Sequence, residues 1–111
     1  MNKVYIAGKI TGLNYLETFK KFLLAEQRLH RLGFEVVNPM KVVKDPNADW
    51  LKAMRICIKK MVEHCDAIYL LHDWEDSRGA RLEYQIANEL KFKLLTDQDL
   101  QVIENINASK N

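Results

Sequence analysis

The sequence predicts a single-domain α/β protein, a three-layer sandwich built on a parallel sheet of about four to five strands. Three observations carry that expectation. A chain of 111 residues can bury one hydrophobic core but not two. Short apolar runs of strand type alternate with amphipathic segments of helix type from one end to the other. The third of those runs, Asp66-Ala67-Ile68-Tyr69-Leu70-Leu71, is apolar almost throughout, as a strand covered on both faces must be.

The first strand is Val4-Tyr5-Ile6-Ala7, ended by Gly8. Asn14 then offers an N-cap with Glu17 at the third helical position, close to a capping box. Leu16, Phe19, Phe22, Leu23, Leu29 and Leu32 recur at helical spacing before Gly33 stops the first helix. Phe34-Glu35-Val36-Val37 is the second strand, halted by Asn38-Pro39. Residues 40–48 are expected to form the longest loop. Asp49 caps a second helix, on which Leu51, Met54, Ile58, Met61, Val62 and Cys65 are placed on one inward face. After the third strand, a polar loop from His72 to Arg78 leads into a third helix over 79–90. Phe92-Lys93-Leu94-Leu95 is the fourth strand. A short helix is expected over 97–106, with residues 107–111 frayed.

Alternation of this kind implies parallel strands with helices on both faces. In a flavodoxin-like, Rossmann-like strand order 2-1-3-4, ligands bind beyond the carboxyl ends of the strands where the order reverses. That places a crevice between strands one and three. The Gly8–Asn14 and His72–Gly79 loops are expected to meet there.

Composition narrows the function classes. Seventeen Lys and Arg against fifteen Asp and Glu give a net charge of +2 without a basic stripe. Duplex nucleic acid is therefore not an expected partner, although a single phosphate fits. No apolar run reaches membrane-spanning length, and Met1-Asn2-Lys3 leads straight into a strand, so a cytoplasmic protein without a membrane partner is expected. Cys57 and Cys65 fall on one helix, separated by about 12 Å along its axis, beyond disulfide reach. Neither they nor His30, His64 and His72 have metal-ligand spacing. Gly8-x-x-x-Gly12 is not a dinucleotide fingerprint, there is no Walker lysine loop, and no zinc-deaminase pattern occurs. No cofactor and no metal are expected.

The third helix holds the informative anomaly. Its apolar stripe runs through Ala80, Leu82, Ile86, Ala87 and Leu90, and Glu83 falls inside it. A carboxylate on an inward face needs a partner or a purpose, because burying an unpaired charge is costly. The alternative is that Glu83 pairs with Lys or Arg, or sits at the stripe's wet edge. In the helix's first turns the dipole favours the ionised form. Such a carboxylate, beneath the expected crevice, is suited to attack on a sugar anomeric carbon. Ser77-Arg78-Gly79-Ala80 opens the same helix with a hydroxyl and free backbone N–H groups, a site for phosphate or sugar hydroxyls. Ser77 as a plain N-cap and Gly79 as a packing residue remain the other reading, and Arg78 and Arg81 serve either an anion or the solvent.

Tyr5-Ile6-Ala7-Gly8, Cys65-Asp66-Ala67-Ile68 and Trp74-x-x-Ser77-x-Gly79-Ala80-x-x-Glu83-x-x-x-Ala87 together resemble the nucleoside 2-deoxyribosyltransferase superfamily. That superfamily includes the deoxynucleoside 5′-monophosphate N-hydrolases, and the likeness is greatest to a small bacterial and phage branch. It covers roughly residues 3–95. The resemblance implies that Glu83 attacks C1′, releases the base and forms a glycosyl-enzyme, which water or a second base then resolves. It implies that Tyr5 orients that nucleophile, although a core tyrosine would look the same in sequence. Gly8 and the Lys9-Ile10-Thr11-Gly12 loop are placed to approach the sugar or base closely. Trp74 would stack on a base, or else cover the sheet edge or a subunit interface. A homodimer or larger homo-oligomer completes the site in that superfamily.

Two departures shape the expectation. The transferases carry an aspartate where this chain has Ser77, as the monophosphate hydrolases do, which points to a nucleotide; Asp76 lies one residue away. An aspartate that assists base departure is expected six to eight residues before Asp66, where Ile58, Lys59 and Lys60 stand instead. Glu63, Asp73 and Asp76 are the nearest substitutes. The expected function is therefore an N-glycosidase or deoxyribosyl transferase acting on a nucleoside 5′-monophosphate or nucleoside. A nucleotide-binding module without turnover is the alternative.

Overall fold

Strands β1 (Lys3–Ala7), β2 (Glu35–Val37), β3 (Ala67–Leu70) and β4 (Lys93–Leu95) pair in parallel, in the order β2-β1-β3-β4. The computed structural model describes residues 2–110. Five helices connect and flank the sheet: α1 (Tyr15–Arg31), the short α2 (Pro39–Val42), α3 (Trp50–His64), α4 (Arg78–Glu89) and α5 (Asp97–Ser109). The result is the flavodoxin-like three-layer arrangement, with the reversal of strand order between β1 and β3.

The period-two alternation of a strand divides the core into two layers. Val4 and Ile6 pack with Phe22 and Leu29 of α1 and Leu100 of α5. Tyr5 and Ala7 point the other way, toward Cys57 and Met61 of α3 and Ala80 and Ala87 of α4. In register, Tyr5 lies opposite Val37 on β2 and Ile68 on β3. Every residue of β3 is buried, as its unbroken apolar run requires.

Helix ends follow their caps. Asn14 accepts from the Glu17 N–H at 3.0 Å, and Asp49 accepts from the Lys52 N–H at 3.0 Å. Gly33, just past α1, takes φ +91°, a conformation suited to glycine.

The structure departs from sequence expectation in three places. First, the expected loop over 40–48 begins helical, in a turn of helix that runs from Pro39 to Val42. Asn38 caps them through the Met40 N–H at 2.9 Å, and Pro39 suits the first turn. The buried Glu26 of α1 pins this corner, accepting from Asn38 Nδ2 at 3.1 Å and Lys41 Nζ at 2.8 Å. Second, Leu51 and Val62 of α3 are exposed, while Cys57 and Met61 are buried. The inward stripe is rotated by about 50° from the expected one, so that it runs through Trp50, Met54, Cys57 and Met61. Third, α5 continues through Ser109 rather than fraying at 107. A Thr96–Asp99 capping box starts it, and Arg28 of α1 clamps it through Asp97 and Glu104.

Cys57 and Cys65 are free thiols. Among the described residues, no helix is long and apolar enough to cross a membrane.

Candidate functional site

Helix α4 buries Gly79, Ala80, Glu83 and Ala87, a spacing that keeps all four on its inner face. Glu83 is only 5% exposed. Its partner comes from the middle of β1, where alternation turns Tyr5 toward the same layer. The Tyr5 hydroxyl donates to Glu83 Oε2 at 2.5 Å. A carboxyl, a phenol and the Cys57 thiol are thereby collected in one buried cluster.

Burial pushes the Glu83 carboxyl up from its ordinary 4.5 to about 8, and the bond from Tyr5 offsets only part of that rise. The carboxyl is therefore mostly protonated at neutral pH, contrary to the ionised form expected from the helix dipole. Glu83 is the sixth residue of α4, and the dipole's influence falls off within the first turn. Burial also raises the Tyr5 phenol well above its ordinary value, with the Glu83 charge adding to it. It pushes the Cys57 thiol up to about 11.

A cavity of about 270 Å³ lies over this cluster. Tyr5, Cys57 and Glu83 border it, as do Gly8, Ser77 and Gly79. The remaining walls are residues 10–13 of the loop after β1, Tyr15 and Thr18 of α1, Pro39, Met40 and Val43, the Asp45–Ala48 segment, and Trp50 and Met54 of α3. A space of this size lies at the lower end of small-molecule pockets, whose range starts at roughly 300 Å³.

Three expected binding residues lie outside the cavity wall. The Lys9 N–H donates to Asp73 Oδ1 at 3.0 Å, while Lys21 Nζ donates to Asp73 Oδ2 at 2.6 Å and to the Lys9 carbonyl at 2.9 Å. Burial opposes ionisation of Asp73, but these bonds outweigh it and hold its carboxyl below the ordinary value. The knot does join the two loops expected to meet at the strand-order reversal. It is their own contact, and the cavity opens beside it, toward the β2 side of β1. Trp74 is half-buried, its ring 4.9 Å from that of Tyr84, and packs on the core. Asp76 is exposed in a 3-10 turn over Trp74–Asp76. Of the 72–79 loop, only Ser77 and Gly79 reach the cavity.

Ser77 is the N-cap of α4 and also borders the cavity. Its oxygen caps α4 by accepting from the Ala80 N–H at 3.1 Å. Its hydroxyl proton remains available to a ligand, and the first N–H groups of α4 have no partner inside the helix. The glycines are there for close approach. A Cβ on Gly8 would sit 2.6 Å from Leu71 Cδ1, and one on Gly79 would sit 2.9 Å from Met54 Sδ and 3.7 Å from Trp50 Nε1.

Trp50 is the main cavity residue that sequence reading did not single out. It borders the cavity, and the Arg78 guanidinium lies 4.2 Å from its ring centroid. Its signal was the helical phase it shares with Met54 and Cys57. The Asp45–Ala48 wall carried no comparable signal, because an irregular segment has no period. Ile58, Lys59 and Glu63 border a shallow depression on the outer face of α3, away from the cluster. Among the described residues, no group of three or more His, Cys, Asp and Glu side chains is placed to hold a metal ion.

Fold and site together define an α/β domain with one small cavity over a buried tyrosine–glutamate pair. Residues 2–96 match the model of a domain of unknown function (DUF4406), and the chain belongs to that family. No curated protein and no solved structure matches the chain.

Proposed function

We propose that the protein cleaves the N-glycosidic bond of a nucleoside 5′-monophosphate or nucleoside, with Glu83 as nucleophile. The observation that carries this reading is the Tyr5–Glu83 pair at the inner end of the cavity, bonded at 2.5 Å. The C1′–N bond breaks as Glu83 forms an ester to C1′, and the base leaves with the bonding electrons and takes up a proton. Water, or a second base, then attacks C1′ and returns the carboxylate. Tyr5 holds the attacking carboxyl in one orientation. Ser77 and the N–H groups at the start of α4 receive the 5′-phosphate, with Gly8 and Gly79 keeping the walls close to the sugar. The reading needs no metal and no cofactor.

Lys9, Trp74 and Asp76 have no direct part in this reading, since they lie outside the cavity wall. A homodimer or larger homo-oligomer in the cytoplasm belongs to it. A second reading, a nucleotide-binding module without turnover, is favoured by one specific observation. None of the positions expected to supply the acid (Ile58–Lys60, Glu63, Asp73 or Asp76) borders the cavity, and the one carboxyl there besides Glu83 is the exposed Asp45.

The test is incubation of the full chain with nucleosides and their 5′-monophosphates, following free base by chromatography. Release by the wild type and its loss in Glu83→Gln support the enzyme. Thermal stabilisation by nucleotides without release supports the binding module. Neither effect from any compound rejects both.

A further inference from the structure

We infer that Asp45 selects the heterocycle bound in the cavity, favouring a base of the guanine type, which presents two adjacent N–H donors. The inference rests on the nucleotide reading above and names the base it takes. Among the residues that border the cavity, only Glu83 and Asp45 carry carboxyl groups. Glu83 is engaged by Tyr5 at the inner end. Asp45 stands in the segment between α2 and α3, borders the cavity and is exposed.

The neighbouring wall residues Val43, Pro46, Ala48 and Trp50 carry no side-chain acceptor, so they give a base flat apolar surface but nothing to read its N–H groups. Asp45 supplies that reading. Its Oδ1 accepts from the Asn47 N–H at 2.9 Å, and its carbonyl accepts from the Ala48 N–H at 3.1 Å. These two bonds fix the turn that presents the carboxylate.

The remaining lone pairs of Oδ1 and both of Oδ2 can face the cavity. An ionised carboxylate offers acceptors only, and its two oxygens match a pair of parallel N–H donors. The N1–H and N2 amino group of guanine form such a pair. Adenine and cytosine place a ring acceptor beside their amino group, which turns a lone pair toward the carboxylate. Hypoxanthine keeps N1–H but lacks the amino group, so it isolates one of the two bonds.

The test uses the full chain and titrates guanosine, inosine, adenosine and cytidine 5′-monophosphates by calorimetry, or compares kcat/KM where base is released. The wild type should prefer the guanosine compound to the inosine compound by about tenfold or more, and to the other two by a larger factor. Asp45→Asn keeps a side-chain oxygen for the Asn47 turn but replaces one acceptor with a donor. It should bring the guanosine-to-inosine ratio to within about threefold, with the thermal midpoint of the free protein unchanged. Equal affinity of the wild type for both compounds, or an unchanged ratio in Asp45→Asn, overturns the role of Asp45 while leaving nucleotide binding intact. Failure of the wild type to bind any of the four, their 2′-deoxy counterparts or the matching nucleosides removes the underlying reading, and the inference with it.

Discussion

Glu83→Gln should abolish most of the protein's loss of stability between pH 5 and pH 8.5. The carboxyl is ordinarily half-ionised at 4.5, but burial holds it protonated up to about 8 in the folded chain. Below pH 4.5 both folded and unfolded states carry the proton, and the contribution is fully present. As pH rises above 4.5 the unfolded chain releases its proton while the folded chain keeps it, so stability falls with pH. The fall continues until Glu83 ionises in the folded state near pH 8. At about 1.4 kcal/mol for each pH unit, the gap amounts to roughly 5 kcal/mol, a large part of the total stability of a small domain. Glutamine has nearly the same shape, does not titrate, and keeps a carbonyl oxygen for the Tyr5 hydroxyl. Denaturant titrations of both proteins at half-unit pH intervals measure the effect. Subtracting one curve from the other removes the histidines and the other carboxylates, which are common to both. The difference should swing by about 4 kcal/mol in favour of Glu83→Gln between pH 5 and pH 8.5. A difference that stays flat across this window would show that Glu83 is solvated and ionised in the folded protein, and the argument from burial would collapse.

Tyr5→Phe removes the one bond that holds the Glu83 carboxyl below the value burial alone would set. The pH at which base release reaches half its maximum should therefore move up from about 8; an unmoved midpoint would take Tyr5 out of the site. The two close-approach glycines should behave differently. Gly8→Ala drives its Cβ against the inner part of Leu71, within 3.0 Å of Cβ and 3.1 Å of Cγ, and should cost about 1–3 kcal/mol in denaturant unfolding. Gly79→Ala meets the flexible end of Met54 and gains helix propensity, so its stability should change by less than about 1 kcal/mol. Because the displaced Met54 borders the cavity, nucleotide-dependent thermal stabilisation should weaken in that variant. The reverse order of stabilities would mean that the β1–β3 junction, not the α3–α4 contact, has room to spare.

The sheet order and the place of Glu83 were legible because both depend on periodicity. Alternation turns Tyr5 away from Val4 and Ile6, and helical phase sets Glu83 between Ala80 and Ala87. Caps were legible too, at Asn14, Asp49 and Ser77, since each needs only its own side chain and a backbone N–H three residues on. The phase of α3 was not, because apolar residues occur nearly all round that helix and two stripes compete. Leu51 and Val62 are as apolar as Cys57 and Met61, and only the sheet decides which pair it covers. The position of Lys9 depends on the Lys21–Asp73 ion pair, whose members lie far apart in sequence, and that of Trp74 on its packing against Tyr84. Long-range pairing of that kind leaves no local trace. Nor does sequence reveal the depth of burial, which is why the dipole was overweighted against desolvation at Glu83.

That last point bears on whether the site reacts or only binds. With the carboxyl titrating near 8, about one molecule in ten carries the anion at pH 7. The penalty for using it is about 1.4 kcal/mol, slight beside the 8 kcal/mol or more by which enzymes lower barriers. A protonated resting state is thus compatible with a nucleophile. The same desolvation that makes the anion scarce removes the water that would blunt its attack on an electron-poor C1′. The two readings then part along the pH axis. A nucleophile must shed its proton, so kcat/KM should rise about tenfold per pH unit below pH 8 and level off above it. A binding module has no such requirement: a neutral carboxyl can donate to a ligand oxygen, and ionising it places an unneutralised charge beside a bound phosphate. Its affinity for a nucleotide should fall as pH passes 8. Ionisation of a nucleophile also weakens nucleotide affinity, so turnover decides: kcat/KM that climbs toward pH 8 gives Glu83 the nucleophile's role, whereas affinity that falls through pH 8 with no base released at any pH leaves it a binding group.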